Sequence, residues 1–338
     1  MERPAAARCT GGRRLPRPSC SGGFARSRTG RETAYESFAR AVLDVGCVAL
    51  DRLHQSSAVR IDAWRCLKDD EEMRRERYRE ELVVTFTQEG AFGLRSLETV
   101  ELVDSTSAVL FWPRTPYSTT HPLGCTDHGC SLSFQRSAVE EVLEAFAPRA
   151  LEALGRDRLL PPAVRPCRPG SRLRQVLLSE LCRRGPVHAM AVDELAFELL
   201  EELLEGLELG NDRAPVPVRP ETLEAHRRCV ERARSELNRR FREPLRLDDL
   251  ARAAHASPFH LCRLFKAVTG MTIRRYLLRL RLAAGMGEVV AGEQSLSRIA
   301  VDLGFFSHSH FTAAFSKEFG LPPKEVRSLA RVWDGIGS

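Results

Sequence analysis

The chain has 338 residues, 43% of them hydrophobic, and a formal net charge of +6. That length is a soft prior for two domains, with apolar content ample for sizeable cores. No apolar run approaches the ~20 residues of a membrane helix, and the Arg-rich start lacks the ~7–15-residue apolar segment of a secretory signal, so the expectation is a cytoplasmic protein with no membrane association. The ten cysteines are scattered with no CxxC pair, unlike the disulfide framework of short secreted chains, and reduced thiols are expected.

The charge is distributed unevenly. Residues 1–31 hold 8 basic and 1 acidic side chains; residues 32–218 hold 22 and 31, a net −9; residues 219–332 hold 21 and 12, a net +9. A basic C-terminal third behind an acidic middle suggests a nucleic-acid-binding module joined to something that is not one. Only four of the 51 basic residues are lysine, so arginine is enriched along the whole chain and its local count carries little weight.

In chain order, residues 1–33 are rich in Arg, Gly, Pro and Ser and read as a disordered tail. Residues 34–209 form the next expected domain. Its first stretch, 34–55, reads as a weak helix. Between 58 and 135 come short β-rich runs: "AVRIDAWRCL" alternates, "ELVVTFTQEGAFGLR" reads as two strands around Glu89-Gly90, and "SAVLFWP" and "CSLSFQ" follow. Short strands with frequent turn signals suggest a β-barrel or sandwich. Phe86, Phe92, Trp112 and Tyr117 are candidate pocket walls or core residues.

From 137 to 209 the pattern is helical. "AVDELAFELLEELLEGL" places Leu195, Leu199, Leu203 and Leu207 every four residues, a stripe suited to core packing or to a dimer seam. "GNDRAPVPVRP" at 210–220, with three prolines, reads as a linker.

The last domain is expected at 221–332. Glu221–Phe241 reads as a helix. Leu247, Leu250, Ala251 and Ala254 then mark a short amphipathic helix, with a turn at His255-Ala256. Ser257-Pro258 supplies an N-cap and a proline at the first helical position, and Gly270 stops the helix. This is a helix-turn-helix shape. Leu261, Leu264, Phe265 and Val268 share the apolar face. Phe259, Cys262, Arg263 and Lys266 share the other, the face a recognition helix lays in a major groove. Arg263 can bond bidentately to guanine O6/N7, Phe259 can pack on a thymine methyl, and Lys266 suits a phosphate. Cys262 is read as a packing or apolar contact, with a redox-sensing role as the alternative.

A second copy follows in "SLSRIAVDLGFFSHSHFTAAFSKEFG". Ser307 caps a helix that Gly320 ends; Phe311, Ala314 and Phe315 face inward, while His308, Ser309, Thr312, Ala313 and Ser316 face outward. The H-x-H pair His308 and His310 invites a metal reading. On a helix, however, residues i and i+2 do not share a face, so they cannot chelate one ion together. His308 is a candidate base or phosphate contact and His310 a structural residue. The joining segment, Thr272–Ala291, spans ~28 Å if helical, comparable to the ~34 Å of one duplex turn.

"SPFHLCRLFKAVTGMTIRRYLLRLRL" and "IAVDLGFFSHSHFTAAFSKEFGLPPKEVR" resemble the DNA-binding domain of AraC/XylS-type transcriptional regulators, over about Glu221–Leu329. "EELVVTFTQEGAFGLR" and "SAVLFWPRTPYSTTHP" also resemble the sensory, cupin-like half of such regulators. The resemblance implies an α+β fold, with an N-terminal cupin-like β-barrel and following helices, plus an all-α C-terminal domain of about seven helices with two helix-turn-helix units. It implies binding to double-stranded promoter DNA, contact with RNA polymerase, a possible small-molecule effector and a possible homodimer, with no cofactor and no enzymatic activity. Carried over residue by residue, the base-reading positions are Phe259, Cys262 and Arg263, then His308, Ser309 and Thr312 with Ala313 beside them. Ala313 departs from the arginine often found there, so the second unit is expected to discriminate bases less sharply.

His121-Pro-Leu-Gly-Cys125-Thr-Asp-His128-Gly-Cys130 could bind zinc on composition, but its spacing matches no common zinc arrangement, and a turn-rich connection is the expectation. A cupin-type metalloenzyme with an accessory DNA-binding tail is the alternative. No Walker, GxSxG, HExxH or dinucleotide motif occurs in the chain.

Overall fold

The structure, a computed structural model, describes residues 48–67, 75–97, 99–124, 127–185, 188–207 and 220–332. The chain divides into two compact units, 1–40 and 41–338, and all described residues lie in the second. The tail expected at 1–33, the start of the helix expected at 34–55 and most of the linker expected at 210–220 lie outside the described residues.

Residues 48–55 correct the first helix. They form strand β1 (Val48–Gln55), paired antiparallel with β2 (Val59–Cys66) from Val48 opposite Cys66 to Gln55 opposite Arg60. The backbone pairing available on β2 overrides a weak local helix signal, the usual outcome when propensity and tertiary pairing compete.

Next come β3 (Leu82–Glu89), β4 (Ala91–Ser96), β5 (Thr99–Asp104), β6 (Ser107–Phe111), β7 (Ser118–Thr120), β8 (His128–Phe134) and β9 (Ala163–Pro166). They build a six-stranded sheet in the order β1-β2-β8-β3-β6-β9 and a three-stranded sheet in the order β5-β4-β7. The two strands expected around Glu89-Gly90 are present, but they do not pair with each other. The chain changes sheet at Gly90 (φ 81°) and again at Ser105-Thr106, so β4 and β5 stack on the larger sheet instead of extending it. The closed barrel is therefore replaced by two open sheets.

The period-2 alternation of β3 shows how each face is used. Leu82, Val84 and Phe86 join the core beneath the helices, whereas Val83 joins a second core with Phe92, Leu94, Val103, Val109, Phe111 and Tyr117 between the sheets. Of the four aromatic candidates, Phe92 and Tyr117 line the cavity between the sheets, and Phe86 and Trp112 are buried in the core on the other face.

Helices α1 (Arg136–Phe146), α2 (Pro148–Gly155), α3 (Pro169–Arg184) and α4 (Ala189–Leu204) follow. The leucine stripe of α4 is core: Leu199 and Leu203 are buried with Val192, Ala196, Leu200 and Leu204, and Phe197 stacks on Phe134 at 5.4 Å. The chain's own sheet thus occupies the face that could have served as a dimer seam.

Among the described residues, seven helices follow: α5 (Pro220–Arg240), α6 (Leu247–Ala253), α7 (Pro258–Thr269), α8 (Ile273–Ala291), α9 (Leu296–Asp302), α10 (His308–Phe319) and α11 (Pro323–Val332). Their core includes Val176 of α3, so apolar packing runs continuously from the sheet half into the helical half. No described helix is long and apolar enough to cross a membrane.

Candidate nucleic-acid interface

The two helix-turn-helix units are built by the same local devices. In the first, His255 sits in the left-handed region (φ 54°) and the Ala256 N–H reaches back to Ala251 O at 2.9 Å. Ser257 then caps α7 by accepting from the His260 N–H. In the second, Gly304 holds the left-handed position (φ 72°), the Phe305 N–H reaches Ala300 O at 2.9 Å, and Ser307 accepts from the His310 N–H. These are helix C-cap turns followed by serine N-caps. Gly270 and Gly320 stop the two helices with φ of 74° and 79°.

Counting from each capping serine aligns the copies. The fourth and eighth residues onward are Leu261 and Phe265 in α7 and Phe311 and Phe315 in α10, and all four are buried. The opposite face of α7 carries Phe259, Cys262, Arg263 and Lys266, all exposed, Phe259 at 78%. The opposite face of α10 carries His308, Ser309 and Ala313 exposed and Thr312 half-buried. The eight expected site residues therefore stand on two outward faces. Two positions expected on apolar faces depart from the pattern: Leu247 and Val268 are 40% and 45% exposed, each in an end turn of a short helix, where the core no longer reaches.

His308 is the first residue of α10, with Nε2 3.4 Å from Thr312 Oγ1 one turn on. His310 lies edge-on to Phe305 at a centroid distance of 5.4 Å. The two imidazoles thus have different neighbours, as the helical period requires.

The helix between the units, α8, is 19 residues long and capped by Thr272, which accepts from the Arg275 N–H. Arg281 on α8 donates from Nε to Phe241 O at 2.6 Å, from Nη2 to Glu243 O at 2.9 Å and from Nη1 to Gly304 O at 2.8 Å. One guanidinium so ties the segment entering the first unit to the turn of the second. A Cβ on Gly304 would stand 2.9 Å from Arg242 O and from Arg281 Nη2, so this turn demands glycine for space as well as for φ.

The helical half is held on the sheets by charged contacts that sequence reading missed. Asp104, fully buried at the end of β5, accepts from Arg234 Nη2 at 2.8 Å and Asn238 Nδ2 at 3.1 Å on α5, and from the Tyr276 hydroxyl on α8. Thr106 completes the shell through its N–H and hydroxyl at 2.9 and 2.7 Å. Burial alone pushes this carboxyl up; Arg234, Tyr276 and Thr106 together outweigh it and hold it below the usual carboxylate range. Burial beside Asp104 pushes the Tyr276 phenol up. Arg242 bridges Glu89 at 3.1 Å and Glu288 at 3.0 Å, and Arg279 Nη2 donates to Cys167 O at 2.5 Å.

The His121–Cys130 stretch is more than a connection between strands. His128–Cys130 begins β8, while His121 and Asp127 turn inward and are buried. His121 Nδ1 lies 2.8 Å from Asp127 Oδ1, and its Nε2 lies 3.7 Å from Cys66 Sγ at the end of β2. Cys66 was not among the candidate residues, and its 55-residue separation from His121 leaves no spacing signal in the sequence.

Two packed helix-turn-helix units with capped, outward-facing second helices define a DNA-binding domain. Residues 250–328 match the family described as a helix-turn-helix domain. The transcriptional activator and DNA repair enzyme AdaA of Bacillus subtilis is 28% identical over 28% of this chain and 46% of its own length. The regulatory protein SoxS of Salmonella typhimurium is 28% identical over 30% of this chain and 96% of its own. A transcriptional regulator with an AraC-type DNA-binding domain from Chromobacterium violaceum, known from its crystal structure, is 28% identical over 33% of this chain and 96% of its own, with a TM-score of 0.30. This chain spans less than half the length of the first of these relatives. Its C-terminal part is a helix-turn-helix domain, similar in sequence to AraC-type transcriptional regulators.

Proposed function

We propose that the whole chain is a sequence-specific, cytoplasmic transcriptional regulator that lays α7 and α10 into successive major grooves of promoter DNA. The observation that carries this reading is the duplicated turn-and-cap geometry, which leaves one largely exposed face on each second helix with a 19-residue helix between them. In this reading Arg263 reads a guanine, Phe259 and Cys262 make apolar contacts to bases, and Lys266 neutralises a phosphate. His308, Ser309 and Thr312 read the second box, where Ala313 can contact only a thymine methyl. Arginine and lysine contacts to phosphates supply most of the affinity and make it salt-dependent.

The two-sheet half is the cupin-like sensory or pairing module, and its state alters how the helical half engages DNA and RNA polymerase. A small-molecule effector and a homodimer belong to this proposal. The buried clasp at Asp104 supports it, because it joins the sheets directly to α5 and α8. The regulator reading is favoured over a metalloenzyme with an accessory tail, because the outward residues of α7 and α10 have no structural task that burial explains.

The test is selection of binding sites from a random duplex pool by the full-length protein in moderate salt, with Arg263→Ala in parallel. An enriched motif of two boxes about one helical turn apart, one of them degraded by the substitution, supports the reading. Retention of duplex without sequence enrichment, in both proteins and with or without cell extract, overturns it.

A further inference from the structure

We infer that the cavity between the two sheets is a covalent receptor for small anionic electrophiles, with Cys66 as its nucleophile. The cavity, of about 100 Å³, is lined by Cys66, His121 and Asp127 together with Trp64, Arg77 and Arg79. The thiol, the imidazole and the carboxylate stand in a row: Sγ to Nε2 3.7 Å, Nδ1 to Oδ1 2.8 Å. With the Nδ1 N–H donated to the carboxylate, the neutral imidazole would present its Nε2 lone pair to the sulfur. Nucleophile, base and orienting group in this order are the parts of an activated thiol, whatever the fold that carries them.

Further observations point to a ligand. Asp127 is 1% exposed, yet its Oδ2 has no hydrogen-bond partner. Trp64 Nε1 and Arg79 Nε are likewise buried donors without a partner on the cavity wall. Arg77 and Arg79 lie 5.3 and 5.9 Å from the centre of the Tyr117 ring, and Arg77 Nη2 also donates to Thr119 Oγ1 at 2.5 Å. Asp62 and Asp127 also line the cavity, but Asp62 is paired with Arg52 and Arg60 and Asp127 with His121, so the Arg79 guanidinium is left to attract an anion and raise its local concentration. The aromatic walls Trp64, Phe92, Phe111 and Tyr117 exclude water from the rest of the ligand. A compact carboxylate carrying an electrophilic carbon fits both features. The two arginines in the same wall disfavour a divalent cation, although Cys66, His121 and Asp127 are residue types that bind one.

The inference deepens the sensing role proposed above and rests on it. Its readout is chemical and involves no DNA, so either can fail without the other. The probes are iodoacetate and iodoacetamide, which differ in charge. In either reaction the S–C bond forms, the C–I bond breaks, iodide leaves with the bonding pair, and the thiol proton passes to His121 Nε2.

Full-length reduced protein is treated with each reagent, and modification of Cys66 is followed by mass spectrometry of its peptide, in the native state and after unfolding. The iodoacetate-to-iodoacetamide rate ratio at Cys66 is expected to be about tenfold higher in the native protein than in the unfolded chain. Arg79→Gln should return the ratio toward the unfolded value, and His121→Gln should slow both reagents. The wild-type ratio is decisive even if a variant fails to fold. An unchanged ratio, or a native Cys66 inert to both reagents, overturns the proposal. So does stoichiometric zinc in the purified protein with Cys66 reactive only after chelation, which would make the cluster a metal centre.

Discussion

Arg234 donates from Nη2 to Asp104 Oδ2 at 2.8 Å, across 130 residues of sequence. The pair joins the end of a sheet strand to α5, the first helix of the helical half. Removing one partner of a buried pair leaves the other charge uncompensated. Asp104→Asn should therefore lower the urea midpoint by an amount equivalent to about 3 kcal/mol. A midpoint equal to that of wild type would show that the clasp contributes nothing.

The same carboxyl sets an acid limit. Its pKa in the folded protein lies below the ordinary carboxylate value, so the unfolded chain takes up a proton first as pH falls. The contribution to stability is complete above the unfolded value of about 4 and is lost as pH drops through the folded one. Thermal melts between pH 6 and pH 3 should fall more steeply in wild type than in Asp104→Asn over the acid end of that range. Parallel slopes would reject this assignment.

Two exposed cations on α7 should behave differently on DNA. Arg263→Ala should cost about 1–3 kcal/mol at the preferred site and relax preference at one base. Lys266→Ala should weaken all duplexes alike and reduce the salt slope by about one. Titrations at several salt concentrations against the selected and a scrambled duplex distinguish the two. Identical behaviour of both variants would mean that the face is misassigned.

The paired turns make opposite predictions. Gly304→Ala places a Cβ 2.9 Å from Arg242 O in a left-handed conformation, and should destabilise by about 1–3 kcal/mol. His255→Gly relieves a left-handed non-glycine residue (φ 54°) and should be neutral or stabilise by up to about 1 kcal/mol. Chemical denaturation of both variants checks the sign of each.

Burial pushes the Cys130 thiol up to about 11 and the Cys182 thiol up to about 12. Both should stay unlabelled by maleimide in the native protein at pH 8, whereas the exposed Cys262 labels at once. A raised thiol pKa contributes stability that is present below the unfolded value of about 8.5 and lost as pH rises toward the folded one. Alkaline destabilisation should accordingly begin near pH 9 and be weakened in Cys182→Ala.

What the sequence revealed depended on how local the signal was. Ser257, Gly270, Ser307 and Gly320 announce helix ends through backbone chemistry confined to a few residues, so the helix-turn-helix units could be read directly. Asp104 sits two residues before Thr106 in a turn that looks ordinary in sequence; its partners Arg234, Asn238 and Tyr276 are supplied by packing alone. Cys66, His121 and Asp127 converge for the same reason, each being brought in by a different strand or turn. Strand β1 was hidden because its apolar residues Val48, Leu50 and Leu53 do not alternate strictly, and its pairing with β2 decides its state. The α4 stripe signalled burial correctly but could not say what would cover it.

Arg281 grips three carbonyls, those of Phe241, Glu243 and Gly304, and so fixes the separation of the two helix-turn-helix units as a calliper's jaws are fixed by its screw. On the proposed reading, such a protein would measure length as well as letters. A target with the right two boxes and one base pair too many between them would meet one head in register and the other rotated by about 34–36° around the duplex, and would be treated as half a site.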